Sequence, residues 1–356
     1  GSFSQLSRAT QEHRRQPVAE PDPTPESEAA LAQAREWGIH TIPVPTPFAV
    51  GRINCYLLEG DPLTLIDAGP RSEKSLQGLV AGVEAAGYKV EDIELVVATH
   101  QHIDHIGQIS TVVERSGARV ASIDLVVERL AGFSSGSERE DQLAVDLMVR
   151  YGVAEDIANL LKEVTASFRE LGGPVTVTDP FPAGESIDMG SRSYETFHRP
   201  GHSPSDTVFW DEERKLMFGG DHLLSHISSN PLLSRHLDGS PGRTKSLINY
   251  RDSLRATAAM PIEIMLSGHG LAITDHAELI EKRLASQDRR TEKIYNLVAE
   301  GHDSPHGVAN AIWGDIALTQ AYLTLSEVIG HLDILVEDGR VAENEGEKYS
   351  TFEVIA

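Results

Sequence analysis

Short apolar runs alternate with amphipathic stretches between about residues 40 and 123, and this alternation predicts the first part of the fold. The runs "INCYLLEG" and "LTLIDAG" predict two strands joined by a turn at "DP", and "IELVVAT" predicts a buried strand. The stretch "KSLQGLVAGVEAAGY" has helical spacing, and "TVVERSG" followed by "ARVAS" repeats helix then strand. Strands that alternate with helices predict a layered domain of the α/β (α+β) class.

Residues 124–172 interrupt this rhythm with apolar positions at helical spacing, so we expect a helical insertion there. These positions are Leu143, Leu147, Met148, Tyr151, Leu160, Leu161, Val164 and Phe168. We expect most of them to pack the helices on the body of the protein and one or two to line a substrate pocket. Strand patterns return at "VTVTD", "SYETFH", "DTVFW", "KLMFGG" and "IEIMLSG".

The two ends of the chain differ in texture from the part between them. Residues 1–37 comprise a polar arm, whose composition predicts flexibility, and a short helix at "ESEAALAQAREWG". After about residue 273, the pattern predicts a long amphipathic helix, shorter helices and a hairpin at "RVAENEGEKYSTFEVI". We therefore divide the chain into an N-terminal arm (1–37), a main domain (38–273) and a C-terminal domain (274–356).

Charge and composition narrow the classes of partner. Lys and Arg number 31 and Asp and Glu 54, which gives a formal net charge of −23 at pH 7. This balance argues against a nucleic-acid partner and favours a small or neutral substrate. No run approaches the roughly 18 apolar residues of a membrane span, and the start lacks a signal-peptide core, so we expect a cytoplasmic protein without a membrane partner. The single cysteine, Cys55, excludes an intramolecular disulfide and is expected to be buried.

The stretch "THQHIDHIG" places four potential metal ligands directly after an apolar run. His100 and His102 are two residues apart on an extended chain, so both imidazoles can reach one ion. Asp104 and His105 follow on the turn to the next helix. Imidazole nitrogens with a carboxylate oxygen suit zinc, but four ligands are too many for one open catalytic site and too few for two.

Three later segments supply the missing ligands. His202 lies on a loop rich in Pro and Gly, and Asp221 and His269 each follow an apolar strand. All three have glycine neighbours, which allow close approach of the backbone, and strand ends are where α/β sheets build their sites. The result is a set of five histidines and two aspartates.

Several further polar residues near these segments have simpler interpretations. We expect structural or solvated roles for His198, His222, His226 and His236, although one of the last three could face the substrate. Ser203 and Ser205 could pass for nucleophiles, but no general base accompanies them in the sequence.

This pattern closely resembles the metallo-β-lactamase superfamily over about residues 40–273. The H-x-H-x-D-H signature falls on His100 to His105, the later motifs follow in the expected order, and "LIDAG" matches the first motif. The resemblance implies an αββα sandwich with two metal ions at one edge. It assigns His100, His102 and His202 to the first metal, Asp104, His105 and His269 to the second, and Asp221 to both. It makes Asp67 a support for a ligand histidine rather than a ligand.

The C-terminal pattern resembles the small, mostly helical winged-helix domain that follows this fold in some members. Its would-be recognition helix, "SEVIGHLDILVED", carries four acidic residues and no Lys or Arg, so phosphate would be repelled. We therefore expect this domain to close the rim of the site or to support a homodimer rather than to bind nucleic acid.

These features predict a dinuclear zinc hydrolase, with iron or manganese as alternative metals. A metal-bridging hydroxide would attack an ester, thioester or lactone carbonyl of a small molecule with an apolar or acyl portion, and Asp104 would guide the transferred proton. A phosphodiesterase or endoribonuclease is the first alternative. A β-lactamase and a mononuclear iron dioxygenase are further alternatives; His102 argues against diiron relatives, which carry Glu there.

Overall fold

A computed structural model describes residues 19–355, in which two β-sheets share one apolar core. The first sheet has the order β1-β2-β3-β4-β5-β6, antiparallel from β1 to β3 and parallel from β3 to β6. Its strands are Ile39–Val44, Ile53–Leu58, Thr64–Ile66, Leu95–Val97, Arg119–Ile123 and Asp179–Phe181. The polar arm expected before residue 19 lies outside the described residues.

The second sheet has the order β11-β10-β9-β8-β7, with only β10 and β11 parallel. These strands are Ser186–Met189, Arg192–His198, Thr207–Asp211, Leu216–Gly220 and Ile264–Ser267. The ring of Phe218 on β10 lies 5.3 Å from that of Tyr56 on β2, measured between centroids, so aromatic contacts join the two sheets. The expected layered α/β fold is confirmed.

Helices cover the outer faces of both sheets. On the first sheet, α2 (Glu73–Ala85) packs on β1, and α3 (Ile103–Ile106) and α4 (Ile109–Ser116) follow β4. On the second, α8 (Ser246–Ala258) and the start of α9 (His276–Ala299) enclose a separate apolar cluster with Trp210 and Met265. Helix α1 (Pro25–Glu36) begins at the N-cap Thr24 and packs on β1.

The insertion is helical, as predicted; its first part packs on the core of the two sheets, and its longer helices pack against the C-terminal region. It comprises α5 (Val127–Ala131), α6 (Phe133–Arg150) and α7 (Glu155–Ala166). Met148, Tyr151 and Leu161 are buried in one cluster with apolar side chains of the C-terminal helices. Helical periodicity shows that a face is buried, but it does not identify the partner of that face.

The C-terminal region consists of helices followed by a two-stranded hairpin. The elements after α9 are α10 (Pro305–Trp313), α11 (Ile316–Thr319), α12 (Ala321–Glu337), β12 (Val341–Glu345) and β13 (Ser350–Val354). Most of α12 is buried, and its acidic side chains reach basic partners. Asp333 pairs with Arg243 at 2.7 Å, and Glu337 pairs with Lys245 at 2.7 Å. The acidic face noted in the sequence is thus partly neutralised within the chain.

A long irregular segment, residues 222–245, joins β10 to α8 and is held by the C-terminal helices. The Arg283 guanidinium on α9 donates to the carbonyls of Leu224 and Ile227, at 3.2 and 3.0 Å. The Tyr322 hydroxyl on α12 donates to the Leu233 carbonyl. The segment that follows Asp221 therefore takes its shape from the C-terminal region.

Some strands differ from the sequence predictions. The run "VTVTD" was expected to form a strand, but regular pairing begins only at Asp179. The Thr178 hydroxyl accepts the Val120 amide at 2.8 Å, so a side chain occupies a position that a ladder hydrogen bond would otherwise fill. Strands β1 and β7 were not predicted, and Pro43 weakens the strand pattern of β1.

Candidate metal centre

The signature "THQHIDHIG" changes from extended chain to helix within a few residues, which turns its side chains toward one point. His100 lies in the bend that follows β4, and His102, whose backbone is extended, is the N-cap residue of α3. Asp104 and His105 lie in that short helix. This change of backbone conformation lets consecutive polar residues face the same space from different directions.

Three histidines bring their ring nitrogens together in a first group. Nδ1 of His102 lies 3.2 Å from Nε2 of His100 and 2.9 Å from Nε2 of His202. Burial and the neighbouring imidazoles hold the pKa of His100 well below its ordinary value and lower the pKa of His102 to about 3. Imidazoles whose nitrogens converge at these distances are arranged as ligands for a cation.

A second group forms around Asp104, His105 and His269. Nε2 of His269 lies 3.2 Å from Oδ2 of Asp104, and Nε2 of His105 lies 3.8 Å from the same oxygen. His105 and His269 are fully buried, whereas the Asp104 side chain keeps 14% of its surface exposed. Asp104 is thus the member of this group with access to solvent.

Asp221 lies between the two groups. Its Oδ2 is 3.5 Å from Nε2 of both His202 and His269, and its Oδ1 is 3.2 Å from Nε2 of His105. Burial favours the neutral imidazole of His105, but the surrounding carboxylates outweigh burial and raise its pKa. In return, the facing imidazoles lower the pKa of Asp221 despite its burial. The carboxylate is placed to serve both groups.

Hydrogen bonds on the far side of the rings fix which nitrogen faces the site. His269 donates from Nδ1 to the Arg52 carbonyl at 2.8 Å, and His105 donates from Nδ1 to Oδ2 of Asp67 at 2.7 Å. The Thr99 hydroxyl donates to Asp67, so its oxygen can accept from Nδ1 of His100 at 3.0 Å. Nδ1 of each ring is occupied by one of these bonds, so Nε2 faces the site, and in the neutral form of the ring it carries the lone pair that a cation needs.

Asp67 is buried, and its carboxylate bonds to residues that orient the candidate ligands rather than belonging to either ligand group. Its Oδ1 accepts the Thr99 amide at 2.9 Å, and its Oδ2 accepts the Thr99 hydroxyl at 2.8 Å. The backbone at Asp67 is left-handed, with φ of 57°. Asp and Asn tolerate this conformation better than most side chains. One carboxylate thus orients His105 directly and His100 through Thr99.

Residues 267–269 approach the centre so closely that a side chain at residue 268 would not fit. A Cβ on Gly268 would lie 2.3 Å from Oδ1 of Asp221 and 2.8 Å from Cε1 of His105. Oδ1 of Asp221 and Nε2 of His105 are buried without a hydrogen bond of suitable geometry, so each atom is available to coordinate an ion. Both observations fit a cation-binding site.

The loop that carries His202 is held by residues that the sequence reasoning did not identify. Asp206 accepts the Ser203 amide at 2.8 Å and the Ser203 hydroxyl at 2.7 Å, and burial raises the pKa of Asp206 to about 6. The Ser205 hydroxyl accepts the Gln101 amide at 3.2 Å and so ties this loop to the signature. The serines are structural, as the absence of a base suggested, and "SPSD" is a turn pattern that could have revealed Asp206.

The other histidines are separate from the two groups. His198 bonds to the Pro204 carbonyl at 2.8 Å, and His222 bonds to the Thr257 hydroxyl at 2.8 Å. His236 is partly exposed in the segment 222–245. His226 lies against Gly270, the residue that follows His269.

Two other sequence expectations can be compared with the described residues. Cys55 is buried as expected, and burial raises the pKa of its thiol. Among the helices of residues 19–355, none combines the length and apolar character that a membrane crossing requires.

Comparison with known proteins supports the resemblance seen in the motifs. A sequence model of the metallo-beta-lactamase superfamily matches residues 48–269. A probable metallo-hydrolase, YqjP of Bacillus subtilis, is 34% identical over 297 residues, which cover 83% of this chain and 91% of the relative.

More distant relatives include named acyl hydrolases. A hydroxyacylglutathione hydrolase, GloC of Haemophilus influenzae, is 22% identical over 63% of this chain and 88% of its own length. An atrochrysone carboxyl ACP thioesterase of Aspergillus fumigatus is 24% identical over 34% of this chain and 26% of its own length.

A solved structure shows the same fold across most of the chain. The metallo-beta-lactamase family protein TTHA1429 of Thermus thermophilus superposes with a TM-score of 0.75 at 22% identity, covering 89% of this chain and 99% of its own. The family match over more than half of the chain and the metallo-hydrolase relative of 34% identity establish that the chain is a hydrolase of the metallo-beta-lactamase superfamily.

Proposed function

We propose that this chain is a dinuclear zinc hydrolase that cleaves an ester, thioester or lactone carbonyl of a small molecule. His100, His102 and His202 would hold one ion, Asp104, His105 and His269 the other, and Asp221 both. The observation that carries the proposal is the meeting of these two groups at one buried carboxylate. Bound there, the ions would supply Lewis acidity and an activated water at neutral pH.

The donor set fits zinc by its chemistry. Imidazole nitrogens and carboxylate oxygens are ligands that zinc accepts, and each Nε2 lone pair of His100, His105 and His269 is directed inward by a bond on the opposite nitrogen. Asp221 supplies negative charge where the site would carry the most positive charge. No reorientation of these rings is needed before binding.

Asp104 is the residue that we propose for proton transfer. Its Oδ2 faces Nε2 of His269, and its side chain is more exposed than that of Asp221. The facing imidazoles lower the pKa of Asp104 despite its burial, so the carboxylate is ionised near neutrality. Its contact with solvent, rather than its basicity, suits it to pass on a proton from the attacking water.

The acyl-carbonyl class is supported by the named relatives. Two of them are named as a hydroxyacylglutathione hydrolase and an acyl-carrier-protein thioesterase. The net charge of −23 favours a small substrate over a polynucleotide. An endoribonuclease therefore remains an outcome of the test rather than a parallel proposal.

The first experiment is elemental analysis of protein purified without added metal. We expect about two zinc ions per chain, and a marked loss in His102→Ala. The matched control is His236→Ala, which removes a partly exposed histidine outside both groups and should retain the metal. About one iron per chain in the purified protein would overturn the dinuclear zinc assignment.

The second experiment tests the reaction. The zinc-loaded protein is assayed with acyl esters, acyl thioesters, lactones and single-stranded RNA. We expect turnover in the carbonyl set and intact RNA. Cleavage of RNA with no carbonyl turnover would refute the proposed substrate class while leaving the metal centre intact.

A further inference from the structure

Arg52, a cationic residue, contacts His269 through its backbone, on the side of the imidazole that faces away from the other ligands. The Arg52 carbonyl accepts the hydrogen bond from Nδ1 of His269, so the Arg52 backbone directly contacts a candidate ligand. Its guanidinium extends to Glu20, which precedes α1. Nε lies 2.9 and 3.1 Å from the two carboxylate oxygens of Glu20, and Nη2 bonds to one of them. The guanidinium of Arg52 thus already binds a carboxylate, that of Glu20.

His226 also contacts the loop that carries His269. A Cβ on Gly270 would be 2.5 Å from Nδ1 of His226, so the imidazole packs against the residue that follows His269. Arg283 bonds to the carbonyls on either side of His226 and fixes the turn that carries it. The Glu20 carboxylate also acts on this imidazole, because its charge opposes the lowering of the His226 pKa by burial.

The Glu20–Arg52 pair is exposed to water. Arg52 retains 55% and Glu20 43% of side-chain exposure. Ion pairs this exposed contribute little to stability, so another anion can replace Glu20 at small cost. The guanidinium fork matches carboxylate and phosphate groups in particular. In a chain with a net charge of −23, an anionic substrate needs such a local cation to approach the centre.

We propose that Arg52, assisted by His226, is a subsite for an anionic group of the substrate, and that Glu20 occupies it until the substrate binds. This inference rests on the proposed hydrolase function and narrows its substrate class to acyl compounds that carry a carboxylate or a phosphate. Glu20 then acts as an internal competitor that weakens the binding of such substrates.

The kinetic test compares a succinyl thioester with a butyryl thioester of the same length, in which a methyl group replaces the carboxylate. The measured quantity is the ratio of their kcat/KM values. Glu20→Gln should raise the succinyl-to-butyryl ratio, and Arg52→Gln should lower it roughly tenfold, with partial recovery in Arg52→Lys. The matched control is Glu28→Gln, which removes an exposed carboxylate on α1 and should leave the ratio unchanged.

Salt dependence adds a readout that a purely structural role of Arg52 would not change. The ratio should fall with ionic strength in the natural protein and lose that dependence in Arg52→Gln. Equal changes for both thioesters in the Glu20 and Arg52 variants, or no change in either, would overturn the inference.

A binding experiment separates this inference from the proposed function. Succinate and inorganic phosphate are each titrated calorimetrically into zinc-loaded Glu20→Gln and into the double variant Glu20→Gln/Arg52→Gln. Tighter binding of either anion to the single variant supports the subsite, even if no thioester is hydrolysed, and the preferred anion identifies the group. Equal binding of both anions to the two variants would refute it.

Discussion

Substitution of Asp67 by Asn tests the support beneath the metal centre. The replacement keeps the size and tolerates the left-handed backbone, with φ of 57°. It converts one carboxylate oxygen to an NH₂ group, which cannot accept from Nδ1 of His105 at 2.7 Å or from the Thr99 hydroxyl at 2.8 Å. The other oxygen can still accept the Thr99 amide.

The expected magnitude follows from these contacts. Loss of the hydrogen bond that orients a ligand histidine lowers metal affinity about 10- to 100-fold, or about 1.4–2.8 kcal/mol. The effect should be larger for the ion held by His105 than for the ion near His100, because Thr99 transmits only part of the change to His100. The metal-free protein should lose about 1.5–3 kcal/mol of stability, the usual contribution of a hydrogen bond to a charged group.

The assay is a zinc titration with a competing chelator, which resolves the two dissociation steps, together with thermal unfolding in EDTA. Asp92→Asn is the control, since Asp92 also accepts a backbone amide, from Lys89 at 2.7 Å, but lies on the surface. Unchanged affinity for both ions in a folded Asp67→Asn protein would refute the assignment of Asp67 as the support of His105.

Two further changes test packing and titration. Gly268→Ala should abolish metal binding while the fold is retained, because the added Cβ would lie 2.3 Å from Oδ1 of Asp221; full metal content in the purified variant would contradict the geometry. Burial lowers the pKa of His331 to about 3, below its unfolded value of about 6.5, so its contribution to stability is complete above about pH 6.5 and is lost as the pH falls. Below pH 6, the free energy of unfolding of the natural protein, measured with denaturant, should fall faster than that of His331→Gln, by up to about 1.4 kcal/mol per pH unit. The glutamine can keep the bond to Thr291. Parallel pH profiles of the two proteins would contradict this expectation.

The sequence was most informative where a local pattern defines a local structure. The signature from His100 to His105 could be interpreted directly, because its spacing and the strand before it are adjacent in the chain. The approach of His202 and His269 to it was predicted less directly, from their positions after strands and from the resemblance, since the contacts join residues 100 and 165 positions apart. Arg52 could not have been found, because its contact with His269 is made by a backbone carbonyl, which every residue has.

The hydrophobic pattern of the sequence could not predict which surfaces pack against each other. The helical face with Met148 and Leu161 was correctly expected to be buried, but its periodicity holds no information on which surface covers it. The same holds for α12, whose acidic residues suggested an exposed face. In the structure Asp333 is bound to Arg243, which lies 90 residues earlier in the chain.

The apolar cluster that joins the insertion to the C-terminal helices makes these two distant stretches of sequence thermodynamically dependent on each other. A chain cut at residue 273 would leave Val145, Met148 and Leu161 facing water, although all are more than 90% buried in the intact protein. Each stretch would expose part of its apolar surface without the other, so we expect the two to be gained, lost or exchanged together in evolution. A graft of this C-terminal region onto a relative would need the insertion as well.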